Sequence, residues 1–423
     1  VQRLIQRRLG NNLPVFVDSI PGHYSVSIKI WIRAGSECET QENNGLAHFL
    51  EHMIFKGTST RTAEQIAADF DRLGGYFNAC TSRSYTVYYV KLLEEHLDKG
   101  MEILSDVLNN SIFPKEELER EKMVVLEEIS QTEDAPDDII FDRFFENIYP
   151  NQAYGRPILG SRENVRRFTR DDITSFISQH YCSENMMLIA SGKVDSERFI
   201  SLAEKYFGCI KSVGVRAVDR SPARYVPAEY REERKLEQTH LILGLPCVSY
   251  SDSISQIYSA KVLAILLGGS MSSRLFQEVR EKRGLAYSIS AFHAPSETSA
   301  IMGIYSSTDP KRLKELVTVV LGELSKLQNT LTTEEVERAK QQIKSSILMS
   351  LESNESRASH IGRSIHYFGR YTDGAELIEI IDTIGVNDVA SIAEFMLQDK
   401  RLSLALIGAK GMLDGYRVLA EAL

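Results

Sequence analysis

The chain is short of several things at once. Its 423 residues hold five cysteines, Cys38, Cys80, Cys182, Cys209 and Cys247, an odd and scattered set without a C-x-x-C pair. That argues against a disulfide framework or a cysteine-built zinc site and fits free thiols in a reducing compartment. No stretch reaches the roughly 18 continuous apolar residues of a membrane span, and no long apolar run follows the basic residues of V-Q-R-L-I-Q-R-R-L. The expectation is a chain with no membrane span and no visible export signal. Basic charge is also in deficit. With 49 Lys and Arg against 58 Asp and Glu the net charge is −9, which speaks against nucleic acid or an anionic membrane as a partner. Such a balance is either a merely solvated acidic surface or, if the acids line a cavity, a preference for basic partners.

What the chain does have is apolar content, 43% of residues, enough for two or more domains with sizeable cores. Residues 13–35 alternate apolar and polar between Pro and Gly, which predicts a strand pair. Residues 62–73 have helical spacing, with Thr62 as N-cap and Gln65 completing a capping box. Strands are expected again in 76–92, helices at 94–110, 115–133, 137–148 and 169–180, and a buried strand at 185–192. This alternation predicts sheet covered by helices on one side. The second half repeats the order. At one constant shift Asp172, Ser175, Leu188 and Gly192 fall on Asp388, Ser391, Leu404 and Gly408, and Tyr89 and Leu97 fall on Tyr305 and Leu313. Several matches without a gap indicate two copies of one domain, 1–210 and 229–423, joined by a linker at 211–228.

One stretch stands out, G-L-A-H-F-L-E-H-M-I-F from Gly45 to Phe55. Eight of its eleven residues are apolar or glycine, yet it carries His48, Glu51 and His52. Helical spacing puts all three on one face. Two neutral imidazoles at i, i+4 can grip one Zn²⁺ at roughly 2.0–2.1 Å, a third protein ligand completes a catalytic set, and water takes the fourth position. The carboxylate left over can take the proton of that water and hand it to a leaving amine. Taken alone, the pattern is equally a trio of satisfied core groups. The corresponding helix of the second copy, Y-S-A-K-V-L-A-I-L-L from Tyr258 to Leu267, has neither His nor Glu. Only the first copy can hold the metal. Downstream, Glu121 and Glu128 stand seven apart on one face of a helix, where two carboxylates call for a cation, whereas Glu117 and Glu119 read as a solvated face.

H-x-x-E-H followed by E-R-E-K-M-V-V-L-E-E-I, together with N-N-G-L-A-H-F-L-E-H-M-I-F-K-G-T, F-N-A-C-T-S-R-S-Y-T and Y-G-R-P-I-L-G, strongly resembles the pitrilysin/insulinase family of zinc metallopeptidases. Its processing-peptidase β-subunit branch, with that branch's bacterial relatives, matches in length and across both halves. The resemblance implies an α+β fold of two duplicated α/β-roll domains, each a sheet with helices on one face. It implies one Zn²⁺ per chain on His48, His52 and Glu128, with Glu51 as general base and Glu121 orienting a ligand histidine. Asn78 and Ala79 match the edge-strand positions where a peptide adds as an extra strand. Phe55 matches a residue lining the pocket after the cut, although its spacing alone suits a core phenylalanine. Arg280 and Tyr287 in S-S-R-L-F-Q-E-V-R-E-K-R-G-L-A-Y match a substrate-anchoring pair supplied by the second domain. Asp138 and Asp142 match acids that read an arginine before the scissile bond, and are otherwise helix-surface acids.

The implied activity is a zinc endopeptidase acting on peptides, with basic presequence-like substrates expected. The alternatives are a noncatalytic core subunit of a larger complex and a general oligopeptide-degrading peptidase. The family's chamber takes four such domains and this chain supplies two, so a homodimer or monomer is expected first and an inactive paralogous partner second. The corresponding location is a bacterial cytoplasm, or a mitochondrial matrix if a targeting segment has been removed.

Overall fold

The computed structural model describes residues 4–212, 222–409, 416–421 and 423, so residues 213–221 of the expected linker lie outside it. The first half runs β1 (Ile5–Arg8), β2 (Pro14–Ser19), β3 (Ser25–Ile32), α1 (Leu46–Met53), α2 (Ala63–Arg72), β4 (Tyr76–Thr81) and β5 (Thr86–Leu93). It continues with α3 (Leu97–Asn110), α4 (Lys115–Asp134), α5 (Pro136–Ile148), α6 (Arg162–Arg167), α7 (Arg170–His180), β6 (Met186–Gly192) and α8 (Ser196–Phe207). The second half runs β7 (Glu229–Glu233), β8 (Thr239–Pro246), α9 (Ile254–Gly268), β9 (Ile289–Pro295), β10 (Ala300–Thr308) and α10 (Leu313–Thr330). It ends with α11 (Thr333–Ser350), α12 (Asn354–Phe368), α13 (Gly374–Thr383), α14 (Val386–Leu397), β11 (Ser403–Gly408) and α15 (Tyr416–Glu421). Local chemistry sets several boundaries. Thr62 and Gln65 form the capping box of α2, and Pro136 stands in the first turn of α5, where its missing N–H costs nothing.

The first sheet has the order β1-β2-β6-β3-β5-β4 and the second β7-β11-β8-β10-β9. Each contains one parallel pair, β2 with β6 and β7 with β11, and is otherwise antiparallel. Strand for strand the second sheet repeats the first without β1, as a duplicated α/β roll requires.

Period-two alternation sends each strand's side chains to two different cores. Ile28, Ile30 and Ile32 of β3, with Val90 and Leu188, face the main helical layer, in which Leu50 of α1, Leu104 of α3 and Phe199 of α8 are buried. Trp31, Phe16, Val87, Met187 and Ile189 face the other way and are covered by Ala358 and Ile361 of α12. The second sheet follows the same plan. Leu241, Leu243 and Leu404 face a layer that includes α9, α10 and α14, while Ile242, Ala405 and Ile407 meet Ile140, Phe144 and Phe145 of α5.

The packed units therefore follow the contiguous halves except at one segment each. The first unit comprises Val1–Ser130, Arg156–Ser221 and Met349–Thr372, and the second Gln131–Gly155, Pro222–Leu348 and Asp373–Leu423. A division into 1–210 and 229–423 is redrawn at α5 and α12, equivalent helices of the two copies, each of which packs in the unit of the other half. A buried ion pair pins α12. Asp18 on β2 accepts two hydrogen bonds from Arg357, at 2.6 and 2.9 Å, and a third from Ser191 at 2.8 Å. Among the described residues no helix is long and apolar enough to cross a membrane.

Candidate metal centre

α1 buries Leu46, Ala47, Phe49, Leu50 and Met53 in the first unit's core, which leaves His48, Glu51 and His52 on the remaining face. α4 buries Leu118, Val125 and Ile129 and turns Glu121 and Glu128 toward them. Nε2 of His48 and Nε2 of His52 lie 3.6 and 3.5 Å from Oε2 of Glu128. These are too long for hydrogen bonds. Tetrahedral ligation at 2.0–2.1 Å separates neighbouring donor atoms by about 3.3 Å, close to what is seen. Oε2 of Glu128 is buried without a hydrogen-bond partner, and His48, His52 and Glu128 form a group able to hold a metal ion. The donor set of two imidazoles and one carboxylate suits zinc.

The surrounding groups prepare these donors. Nδ1 of His52 lies 3.1 Å from Oε2 of buried Glu121, which keeps the proton on Nδ1 and turns the Nε2 lone pair toward Glu128. Lys56 donates to the other oxygen of Glu121 at 2.6 Å. Burial works against a charged Glu121, but its bonds with His52 and Lys56 prevail and hold the carboxyl below its ordinary value. Burial pushes His48 down to about 4, with His52 adding to the effect, so its imidazole is neutral and able to ligate. For His52 burial is outweighed by Glu121 and Glu128, which push it up to about 9. A field that favours a proton there also favours a metal cation.

Glu51 sits between this cluster and the sheet. Thr81 on β4 donates to its Oε2 at 2.5 Å, and burial raises its carboxyl above the ordinary value against that bond. A carboxylate raised toward neutrality suits a group that must both take and return a proton. β4 is the terminal strand of its sheet, so one side of its backbone is unpaired by any described strand. Asn78 and Ala79 lie on it, and the Ala79 N–H is held by the Asn78 side chain at 2.8 Å. Phe55 is half-buried against Phe77 and Tyr88, with ring centroids 5.3 and 6.0 Å away, at the edge of the core.

The remaining expected residues belong to the second unit. Arg280, in the helical turn Phe276–Glu281, stacks its guanidinium over Phe276 at 4.7 Å and Tyr287 at 5.2 Å, and Tyr287 is 82% exposed. Asp138 is exposed and Asp142 half-buried on α5. Tyr305 is pushed up to about 12, first by burial and then by Asp137 and Asp138.

Two residues of the centre escaped the sequence reading. Lys56 follows His52 by four positions, a helical spacing that points at the same face, although the helix itself has ended by then. Thr81 has the parity of Phe77 and Ala79, whose side chains face the core under α1.

The chain is similar to known proteins over most of its length. Residues 15–162 match the family described as Insulinase (Peptidase family M16), and residues 167–343 match the Peptidase M16 inactive domain. An uncharacterized zinc protease of Rickettsia felis is 39% identical over 95% of this chain and 96% of its own length. The mitochondrial-processing peptidase subunit beta of Neurospora crassa is 33% identical over 98% of this chain and 90% of its own. A crystal structure of a protease from Helicobacter pylori superposes with a TM-score of 0.90 at 22% identity, covering 96% of this chain and 100% of that one. The chain belongs to the M16, or insulinase, family of peptidases.

Proposed function

We propose that this chain is a zinc metalloendopeptidase that takes extended peptides along the free edge of β4. The observation that carries the reading is the convergence of His48, His52 and Glu128 beside a carboxylate, Glu51, that is tied to that same strand by Thr81. Those three residues would hold one zinc ion, which would supply Lewis acidity toward a carbonyl and a more acidic water. Glu51 takes the proton of the attacking water on its carboxylate and returns it to the leaving amine. Asn78 releases the Ala79 N–H to the incoming strand, so backbone pairing reads extension rather than sequence. Phe55 lines the pocket after the cut.

In this reading the first unit, which carries His48 and His52, is catalytic, and the second supplies Arg280, which holds a substrate carbonyl, and Tyr287, which steadies the oxyanion. Asp138 and Asp142 read an arginine near the cut, giving a preference for basic presequence-like peptides. The Neurospora relative is named a mitochondrial-processing peptidase subunit. The same name, of a subunit, makes association a live question for this chain. A homodimer or monomer is the first expectation and an inactive paralogous partner the second.

Mass spectrometry of a basic, amphipathic peptide after incubation with zinc-loaded wild type and Glu51→Gln tests the core of this reading. Cleavage by wild type alone supports it, and equal cleavage by both rejects Glu51 as base. Asp138→Asn with Asp142→Asn should slow cleavage of arginine-containing peptides and spare others, and an equal effect on both sets removes the arginine pocket.

A further inference from the structure

We propose that Glu39 is a positioning residue for the zinc-binding helix, an inference that rests on the metal reading of His48, His52 and Glu128. The N-cap of α1 is Gly45, with φ of +100° and no side chain to satisfy the first N–H groups of the helix. Glu39, in the preceding loop and 4% exposed, does this instead. Its Oε2 accepts from the Gly45 N–H at 2.9 Å and from Asn44 Nδ2 at 2.8 Å, and its Oε1 accepts from the Ala47 N–H at 2.6 Å. A buried carboxylate with three donors at the positive end of a helix is a strong, directional anchor. Ala47 precedes His48, so whatever moves this anchor moves the first ligand.

The loop carrying Glu39 is itself held by a second segment. Asn44 Nδ2 also donates to the Pro157 carbonyl at 3.0 Å, and Asn164 Nδ2 donates to the Gln41 and Asn44 carbonyls at 2.9 and 3.1 Å. Arg156 donates to the Glu39 carbonyl. Gly160, with φ of +75°, lies so close that a Cβ there would come within 2.3 Å of the Asn44 carbonyl oxygen. The segment R-P-I-L-G, residues 156–160, thus acts as the back wall of the clamp. Burial pushes the Glu39 carboxyl up to about 7 even against its donors, a costly way to cap a helix where a hydroxyl would serve. The cost is consistent with a site that must not shift.

Competition with a chromogenic zinc chelator, thermal melting and steady-state kinetics on wild type, Glu39→Gln and Asn44→Ala test this. Glu39→Gln should weaken zinc binding by about 10- to 100-fold and lower kcat while KM changes by no more than about twofold. Asn44→Ala, which leaves the carboxylate in place and removes one donor, should shift zinc affinity and kcat the same way by less, and decides the matter if Glu39→Gln does not fold. Unchanged zinc affinity and kcat, even with a lowered melting temperature, would reduce Glu39 to an ordinary structural residue and overturn the proposal. Failure of wild type to bind zinc overturns the metal reading and this inference together, whereas equal binding by all three proteins overturns this inference alone.

Discussion

α1 and α9 are the same element in two copies of one fold, and they have been put to opposite uses. The shift that carries Asp172 onto Asp388 carries His48, Glu51 and His52 onto Ala264, Leu267 and Gly268. At Gly268 a Cβ would come within 2.4 Å of the Ala291 backbone nitrogen, so α9 lies directly against strand β9. In the first unit the corresponding helix and terminal strand are joined by the bond from Thr81 to Glu51, while His52 turns to Glu121 and Glu128 of α4. The caps differ as well. Ser253 closes α9 locally in a capping box with Gln256, while α1 depends on a carboxylate from an upstream loop. The fold offers a seam between helix and terminal strand, which the second copy closes with core and the first crosses with a polar bond.

Turning the first copy into the second should have the largest effect. His52→Gly, which copies Gly268, is expected to abolish bound zinc in native mass spectrometry and to bring peptide cleavage to background. Retained zinc with full activity would remove His52 from the ligand set. Glu121→Gln keeps every proposed ligand and should cost about 10- to 100-fold in zinc affinity, read by chelator competition.

The next change concerns the sheets rather than the helices. Lys29 is opposite Tyr89 in the first sheet, and Ile242 is opposite Tyr305 in the second. Lys29 is buried over the Tyr89 ring, 3.9 Å from Glu355, and burial pushes it down to about 8. Its charge therefore costs stability below pH 8, a cost that fades as pH rises from about 8 toward the unfolded lysine value near 10.5. Lys29→Ile removes that cost and should stabilise the protein by on the order of 1–3 kcal/mol at pH 7, with this gain shrinking to nothing above about pH 10.5. Chemical denaturation at pH 7 and pH 10 would show it, and a gain that grows with pH would contradict the assignment. Smallest is Ser253→Ala, which should cost about 1 kcal/mol and leave zinc affinity unchanged. A drop in zinc binding there would show that the second copy's cap is not merely local.

What could be read in the sequence was what helical and strand periods encode. Spacing at i, i+3 and i+4 brought His48, Glu51 and His52 to one face, and a seven-residue interval did so for Glu121 and Glu128. The capping box at Thr62 and the strands within 13–35, 76–92 and 185–192 were visible for the same reason. Thr81, Lys56 and Glu39 were not, because each acts on a group reached through the fold. Thr81 lies thirty positions from Glu51, and no local pattern distinguishes its hydroxyl from any other on a strand. Nor could the sequence say that α5 and α12 pack in the units of opposite halves. An amphipathic stripe states that a helix must bury one face, and leaves open which sheet receives it.

That exchange has a consequence for synthesis. When a ribosome has completed β6, the first sheet has all its strands, but Phe16, Trp31, Met187 and Ile189 wait for a helix encoded far downstream at Asn354–Phe368. At 5–20 residues per second the delay is roughly 10–30 s. During it the nascent chain carries an aromatic face and the buried carboxylate of Asp18 without Arg357. The helix that bears His48, Glu51 and His52 is made early, but the sheet that carries it is covered on its second face only when the second half has been translated.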